Sequence, residues 1–151
     1  MSHSLVKQLN HIVFATKGRR SLISPGMRDE LQAYIGGILK SMNCRLIKAG
    51  GRPDHIHLLV ELSASVSVAA CVQKVKCNSS RWIKIRFPQR RNFAWQEGYG
   101  AFSESYSELP FLKSYIENQE LHHRNVAFKE EFRRLALEHG LDPGDWGQFE
   151  N

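Results

Sequence analysis

Acidic residues are missing from a long stretch of this chain. Between Leu62 and Gln96 there is none, while Lys74, Lys76, Arg81, Lys84, Arg86, Arg90 and Arg91 all fall there. Cysteine is scarce: Cys44, Cys71 and Cys77 make an odd number with no Cys-x-x-Cys spacing. That excludes a disulfide framework and a cysteine zinc site, and it fits a reducing compartment. No apolar run approaches the roughly 18 to 20 residues that cross a bilayer. Met1 to Asn10 also lack the apolar stretch and small-residue cleavage site of a signal peptide. A cytoplasmic protein with no membrane partner is expected. Repeats and low-complexity segments are lacking too, so residues 1–151 read as one domain with a helical extension from about residue 126.

The charge that is present is unevenly shared. Residues 1–96 hold 16 bases and 4 acids, a net +12, whereas residues 97–151 hold 5 bases and 11 acids, a net −6. A basic block interleaved with Trp82, Phe87, Phe93 and Trp95 suits a phosphate backbone whose bases stack on rings. A surface that only keeps the protein in solution has the same composition. The acidic tail invites packing on a basic body, its own or a partner's.

Leu9 to Thr16 reads as a strand ending at the basic, turn-like Lys17-Gly18-Arg19-Arg20. Ser24-Pro25 then reads as a helix cap, and Met27, Leu31, Ile35, Leu39 and Met42 keep the 3.6 period of an amphipathic helix. Gly36-Gly37 inside it suggest a close backbone approach. Cys44 to Ala49 is a second strand, residues 50–53 a turn, and Asp54 to Leu62 a third strand. Ser65 opens a second helix that Pro88 closes, and Gly98 to Ser105 is a fourth strand. Ser107 caps a helix from Glu108 to about Arg124, and Val126 to His139 is a last, charged helix stopped by Gly140. The order β-α-β-β-α-β with two further helices is an α+β, ferredoxin-like split βαβ fold. Its four-stranded antiparallel sheet should carry two helices on one face. The other face is expected to be free, as in RNA-recognition domains that bind single strands there.

Side chains alternate along a strand, so Ile56, Leu58 and Val60 point one way and His55, His57, Leu59 and Glu61 the other. With the apolar set on the core, His55 and His57 stand side by side, where two imidazoles can hold one metal ion. Two surface histidines on a half-exposed strand would give the same pattern. Tyr115 and Gln119 are four apart on a helix and share a face. A phenol can attack a phosphate, and an amide oxygen can complete a metal site that stabilises phosphoryl charge. With a pKa near 10, tyrosine needs such help, and a tyrosine on an amphipathic helix is more commonly packing. His122 and His123 are adjacent and cannot face one way.

Taken together, DHIHLLV, GY-x-AFS and YIENQ-x-x-HH resemble the HUH-type single-tyrosine transposases, in particular the insertion-sequence and REP-associated tyrosine transposases. The resemblance runs from HIVFATKGRR to about Gly140. It implies a single HUH transposase domain acting on single-stranded DNA with hairpins. Tyr115 is then the nucleophile, leaving a 5′-phosphotyrosine and a free 3′-OH, and His55, His57 and Gln119 hold Mg²⁺ or Mn²⁺. Asp54 precedes the motif as an acid often does in this family, but alternation points it to the opposite face, outside the metal set. Arg19, Arg20, Arg81, Arg90 and Arg91 are the expected DNA contacts. The family's homodimer, in which the tyrosine helix of one copy serves the histidines of the other, is implied as well. Two other readings compete. One is a non-catalytic single-stranded nucleic-acid-binding domain of the same fold, and the other a metal-dependent phosphoesterase with no covalent step.

Overall fold

A computed structural model of the chain describes residues 4–119 and 127–142. The expected His122-His123 pair, the end of the expected third helix, and the tail from residue 143 lie outside these described residues. The strands are β1 (Gln8–Ala15), β2 (Arg45–Arg52), β3 (His55–Leu62) and β4 (Gly100–Glu104). The helices are α1 (Pro25–Ser41), α2 (Val68–Arg86), α3 (Leu109–Glu117) and α4 (Phe128–Glu138). The strands form one sheet in the order β2-β3-β1-β4, with every pairing antiparallel. This is the expected α+β arrangement.

One face of the sheet carries Ile12, Phe14, Ile56, Leu58 and Val60, which pack with Met27, Leu31 and Ile35 of α1 and Val72, Val75 and Ile83 of α2. Alternation thus sends the apolar residues of β3 where the sequence predicts. The second face is not free, however. Leu9 and Leu59 pack with Leu112 and Ile116 of α3, and Val13 and Ala15 with Phe128, Phe132 and Leu135 of α4. The expected open binding platform is a second core, because both later helices have an apolar stripe to bury.

Local starts and stops differ in detail. Ser24 takes the extended cap conformation before Pro25, without a side-chain cap bond. Ser67, and not Ser65, caps α2 by accepting the Ala70 N–H at 3.1 Å. A 3-10 turn at Tyr106–Glu108, capped by Ser105, precedes α3, so the expected Ser107 cap is displaced by two residues. The aromatic interleaving of the basic block proves structural. Phe93 is buried, and the Trp95 indole N–H donates to Ser79 Oγ at 3.0 Å. Trp82 stacks on Tyr34, with ring centres 4.6 Å apart.

Gly50 and Gly51 are strand residues, and the hairpin turns at Pro53-Asp54 instead. The close approach expected at Gly36-Gly37 belongs to Gly50. A Cβ on Gly36 would meet only Leu46 at 3.7 Å, and one on Gly37 nothing, whereas a Cβ on Gly50 would stand 2.1 Å from the Ile116 carbonyl oxygen. The tyrosine helix α3 therefore rests directly on the backbone of β2. Gly50→Ala should push α3 off the sheet and cost about 2 kcal/mol, the usual scale of overpacking. Urea unfolding measures this, and an unchanged midpoint would show that α3 can yield at no cost. Among the described residues no helix is long and apolar enough to cross a membrane.

Candidate active site

Strand alternation sends His55 and His57 onto the second face, where α3 and α4 cover them almost completely. Their Nε2 atoms turn toward one carboxylate. Glu131 Oε1 of α4 lies 3.1 Å from His57 Nε2 and 3.5 Å from His55 Nε2. Gln119 Oε1 stands 3.3 Å from His55 Nε2. The other oxygen of Glu131, Oε2, accepts the Tyr115 hydroxyl and, at 3.1 Å, the Gln119 amide. The predicted Tyr115, His55, His57 and Gln119 thus meet in one place, joined by a residue that sequence reasoning missed.

Glu131 has a readable signature in hindsight. Phe128, Phe132 and Leu135 form the buried stripe of α4, and Glu131 occupies a position on that same stripe. A carboxylate on the apolar face of a helix is costly unless paired, so it marks a site. Its neighbour Glu130, exposed on the same helix, hides the pattern in a plain charge count.

The far nitrogens of the two imidazoles are held as well. His55 Nδ1 lies 2.8 Å from Asp54 Oδ1, and His57 Nδ1 lies 2.8 Å from Nε2 of His11 on β1. Asp54 reaches His55 because it belongs to the hairpin turn, where strand alternation does not apply; it is not among the converging donors. Burial alone would pull the His55 pKa down, but hydrogen bonds to the Asp54 and Glu131 carboxylates outweigh it and raise it. Burial first, and then His57, keep His11 well below the ordinary imidazole range. Burial and the adjacent Glu131 charge raise the Tyr115 phenol above the normal tyrosine range, so it is protonated near neutral pH. A proton acceptor stands beside the phenol, since Glu131 Oε2 already takes its hydrogen bond.

The donor set suits a divalent metal. One ligand atom from each of His55, His57 and Glu131 falls within 4.8 Å of the others. Donors held about 2.1 Å from an ion stand about 3 to 3.4 Å apart. That is close to the distances of Glu131 from the two imidazoles and of Gln119 from His55, while the wider span of the set would have to close slightly around an ion. Two imidazoles, one carboxylate and one amide oxygen favour manganese or a similar borderline ion over magnesium.

The basic residues sort into two groups. The Lys17 N–H donates to the Ala94 carbonyl at 3.0 Å and the Arg90 Nε–H to the Leu22 carbonyl at 2.7 Å. These bonds bring the loop of Arg19 and Arg20 beside that of Arg90 and Arg91. The Thr16 N–H reaches the Asp54 carbonyl at 2.9 Å, so both loops stand at the histidine end of the sheet. Arg81 is exposed on α2 and lines a shallow pocket with Tyr34 and Trp82. Lys76 is withdrawn from any such surface. Its ammonium donates to the carbonyls of Gln96 and Gly98, and burial pulls its pKa down to about 8. A cavity of about 560 Å³ opens beside the tyrosine, lined by His11, Glu104, Phe111, Tyr115, Arg134 and His139 among others.

The chain is similar to transposases in sequence and in fold. It is 32% identical over 98 residues to the transposase of insertion sequence IS200 from Salmonella typhimurium, a match over 59% of this chain and 62% of the relative. The chain thus spans under two thirds of that relative's length. It is 24% identical over 116 residues to the ISDra2 transposase TnpA of Deinococcus radiodurans, covering 72% of this chain and 81% of the other. A crystal structure of a candidate transposase from Deinococcus radiodurans R1 shares the fold with a TM-score of 0.66 at 23% identity, over 79% of this chain and 95% of that one. The structure of a REP-associated tyrosine transposase bound to a REP hairpin shares it with a TM-score of 0.56 at 14% identity, over 97% and 81%. Residues 4–119 match the IS200-like transposases, and with that match covering most of the chain, the chain belongs to this transposase family.

Proposed function

We propose that this chain cuts and rejoins single-stranded DNA at hairpins through a covalent bond to Tyr115. What carries the reading is the convergence on Glu131: Tyr115, Gln119, His55 and His57 all contact its carboxylate. In the cutting step the Tyr115 oxygen attacks phosphorus, its proton passes to Glu131 Oε2, and the bond to the 3′-oxygen breaks. That oxygen takes up the proton held on Glu131 and leaves as a 3′-OH, and the 5′-phosphate stays on the tyrosine. Rejoining is the reverse, and no ATP is needed because the phosphodiester's energy is kept in the phosphotyrosine bond. A divalent ion held by His55, His57, Glu131 and Gln119 would neutralise the charge developing on the phosphoryl oxygens. Mn²⁺ fits the donor set best, with Mg²⁺ the alternative.

The relative bound to a REP hairpin supports a hairpin partner. One chain brings its own tyrosine to its own histidines, which supports catalysis within a chain; a homodimer whose site is shared between two copies is the alternative. DNA would be gathered by Arg19, Arg20, Arg81 and Arg91, and less by Arg90, whose Nε–H is already committed to the Leu22 carbonyl. Binding should weaken steeply with salt, each contacted phosphate adding roughly 0.7 to the slope of log K against log salt. Arg81→Glu with Arg91→Glu should weaken binding across all sequences. A flat salt response would remove the basic surface from the proposal.

Calorimetric titration with Mn²⁺ tests the metal. His57→Ala and Glu131→Ala should abolish measurable binding, whereas Gln119→Ala should cost about tenfold, since water can replace a neutral amide. Unchanged affinity in His57→Ala would reduce the pair to packing. The competing binding-only reading predicts hairpin binding with no protein–DNA adduct at any Mn²⁺ concentration.

A further inference from the structure

His11 is a histidine in the middle of the sheet with no exposure to solvent. It belongs to neither the sequence motif nor the converging donors. Its Nδ1 has no hydrogen-bond partner among the described residues. Leaving a polar atom buried without a partner is unfavourable, and an apolar side chain would fill the same place without that cost. Its other nitrogen does have a partner, His57 Nδ1, at 2.8 Å. The ring centres stand 5.1 Å apart, close to the sum of the 2.8 Å bond and the two ring radii, so the bond runs close to both ring planes, where the N–H and the lone pair lie. β1 and β3 set this geometry. His11 pairs with Leu59 and Val13 with His57, which makes His11 and His57 diagonal neighbours on one face.

We infer that His11 is a positioning residue for metal binding: its Nε2 accepts the His57 Nδ1–H, which fixes the tautomer of His57 that offers its Nε2 lone pair to the ion. The inference rests on the metal site proposed above. An imidazole can bind metal at Nε2 only when its proton sits on Nδ1, and that proton then needs an acceptor. For His55 the acceptor is Asp54. For His57 it is His11, a neutral acceptor, whose own proton must then lie on the unpartnered Nδ1. The orphan atom is thus explained by the role of the opposite nitrogen.

Three variants of the full chain test this by Mn²⁺ calorimetry, with thermal unfolding of the metal-free protein as the check on folding. His11→Phe keeps the ring and its burial but removes the acceptor, and should weaken Mn²⁺ binding by about tenfold to a hundredfold. His11→Gln sets an amide oxygen at the distance of Nε2 and should restore most of the affinity. His11→Asn is too short to reach His57 and should behave as His11→Phe does. A purely structural role predicts that Gln and Asn lose affinity alike, or that Phe binds Mn²⁺ as the native chain does; either result overturns the inference. If His11→Phe does not fold, the contrast between Gln and Asn decides. A native chain that takes up no Mn²⁺ overturns the metal site itself, and the inference with it.

Discussion

Tyr115→Phe should fold, bind hairpin DNA with native affinity and form no covalent adduct. The change removes one oxygen. The ring keeps its place between the Leu112–Ile116 cluster and His57, whose ring centre lies 5.9 Å away. Glu131 loses one hydrogen bond but keeps those from Gln119 and the imidazoles, so the cost to stability should be about 1 to 2 kcal/mol. Adduct formation should vanish outright, because no other described tyrosine can substitute. Tyr106 donates its hydroxyl to Glu61, Tyr34 stacks on Trp82, and Tyr99 packs against the opposite core. The measurement is a denaturing gel of end-labelled hairpin DNA with Mn²⁺, followed by peptide mapping of any adduct. Cleavage by the Phe variant, or an adduct mapped to Tyr99 or Tyr106, would falsify the assignment.

The second large effect is all-or-none and concerns which chain supplies the tyrosine. Tyr115→Phe and His55→Ala are each expected to be inactive alone. If tyrosine and histidines work within one chain, every site in a mixture of the two carries one lesion, and no DNA is cut. If the tyrosine helix serves a second copy, a mixed dimer holds one doubly damaged site and one intact site, and cutting returns. Co-expression with two different tags, and purification through both, makes the comparison fair. The packing of α3 on Gly50 of its own β2 predicts a silent mixture. Activity recovered in the doubly tagged protein would mean that α3 leaves this position to reach a partner. A protein that never pairs, and elutes as a monomer at all concentrations, agrees with catalysis within one chain.

Local pattern alone determined a good part of this protein. The alternation in HIHLLVEL placed Ile56, Leu58 and Val60 on one core and the histidines opposite, because a strand has a strict period of two. The four-residue step from Tyr115 to Gln119 pointed to a shared helical side; α3 ends at Glu117, and Gln119 just past it still donates its amide to the Tyr115 carbonyl at 3.3 Å. The α+β fold with its four-stranded antiparallel sheet followed from the element order. Tertiary structure decided everything that depends on two distant segments meeting. Glu131 stands 74 residues from His57, and His11 stands 46 away. No period links them, since chain folding and not chain spacing sets their distance. The same holds for Gly50, whose need for a bare backbone comes from Ile116 of a later helix, and for Phe93 and Trp95, whose rings went to the core and not to a surface. Short-range repetition is written into the order of residues; contact across the fold exists only once both faces of the sheet are covered.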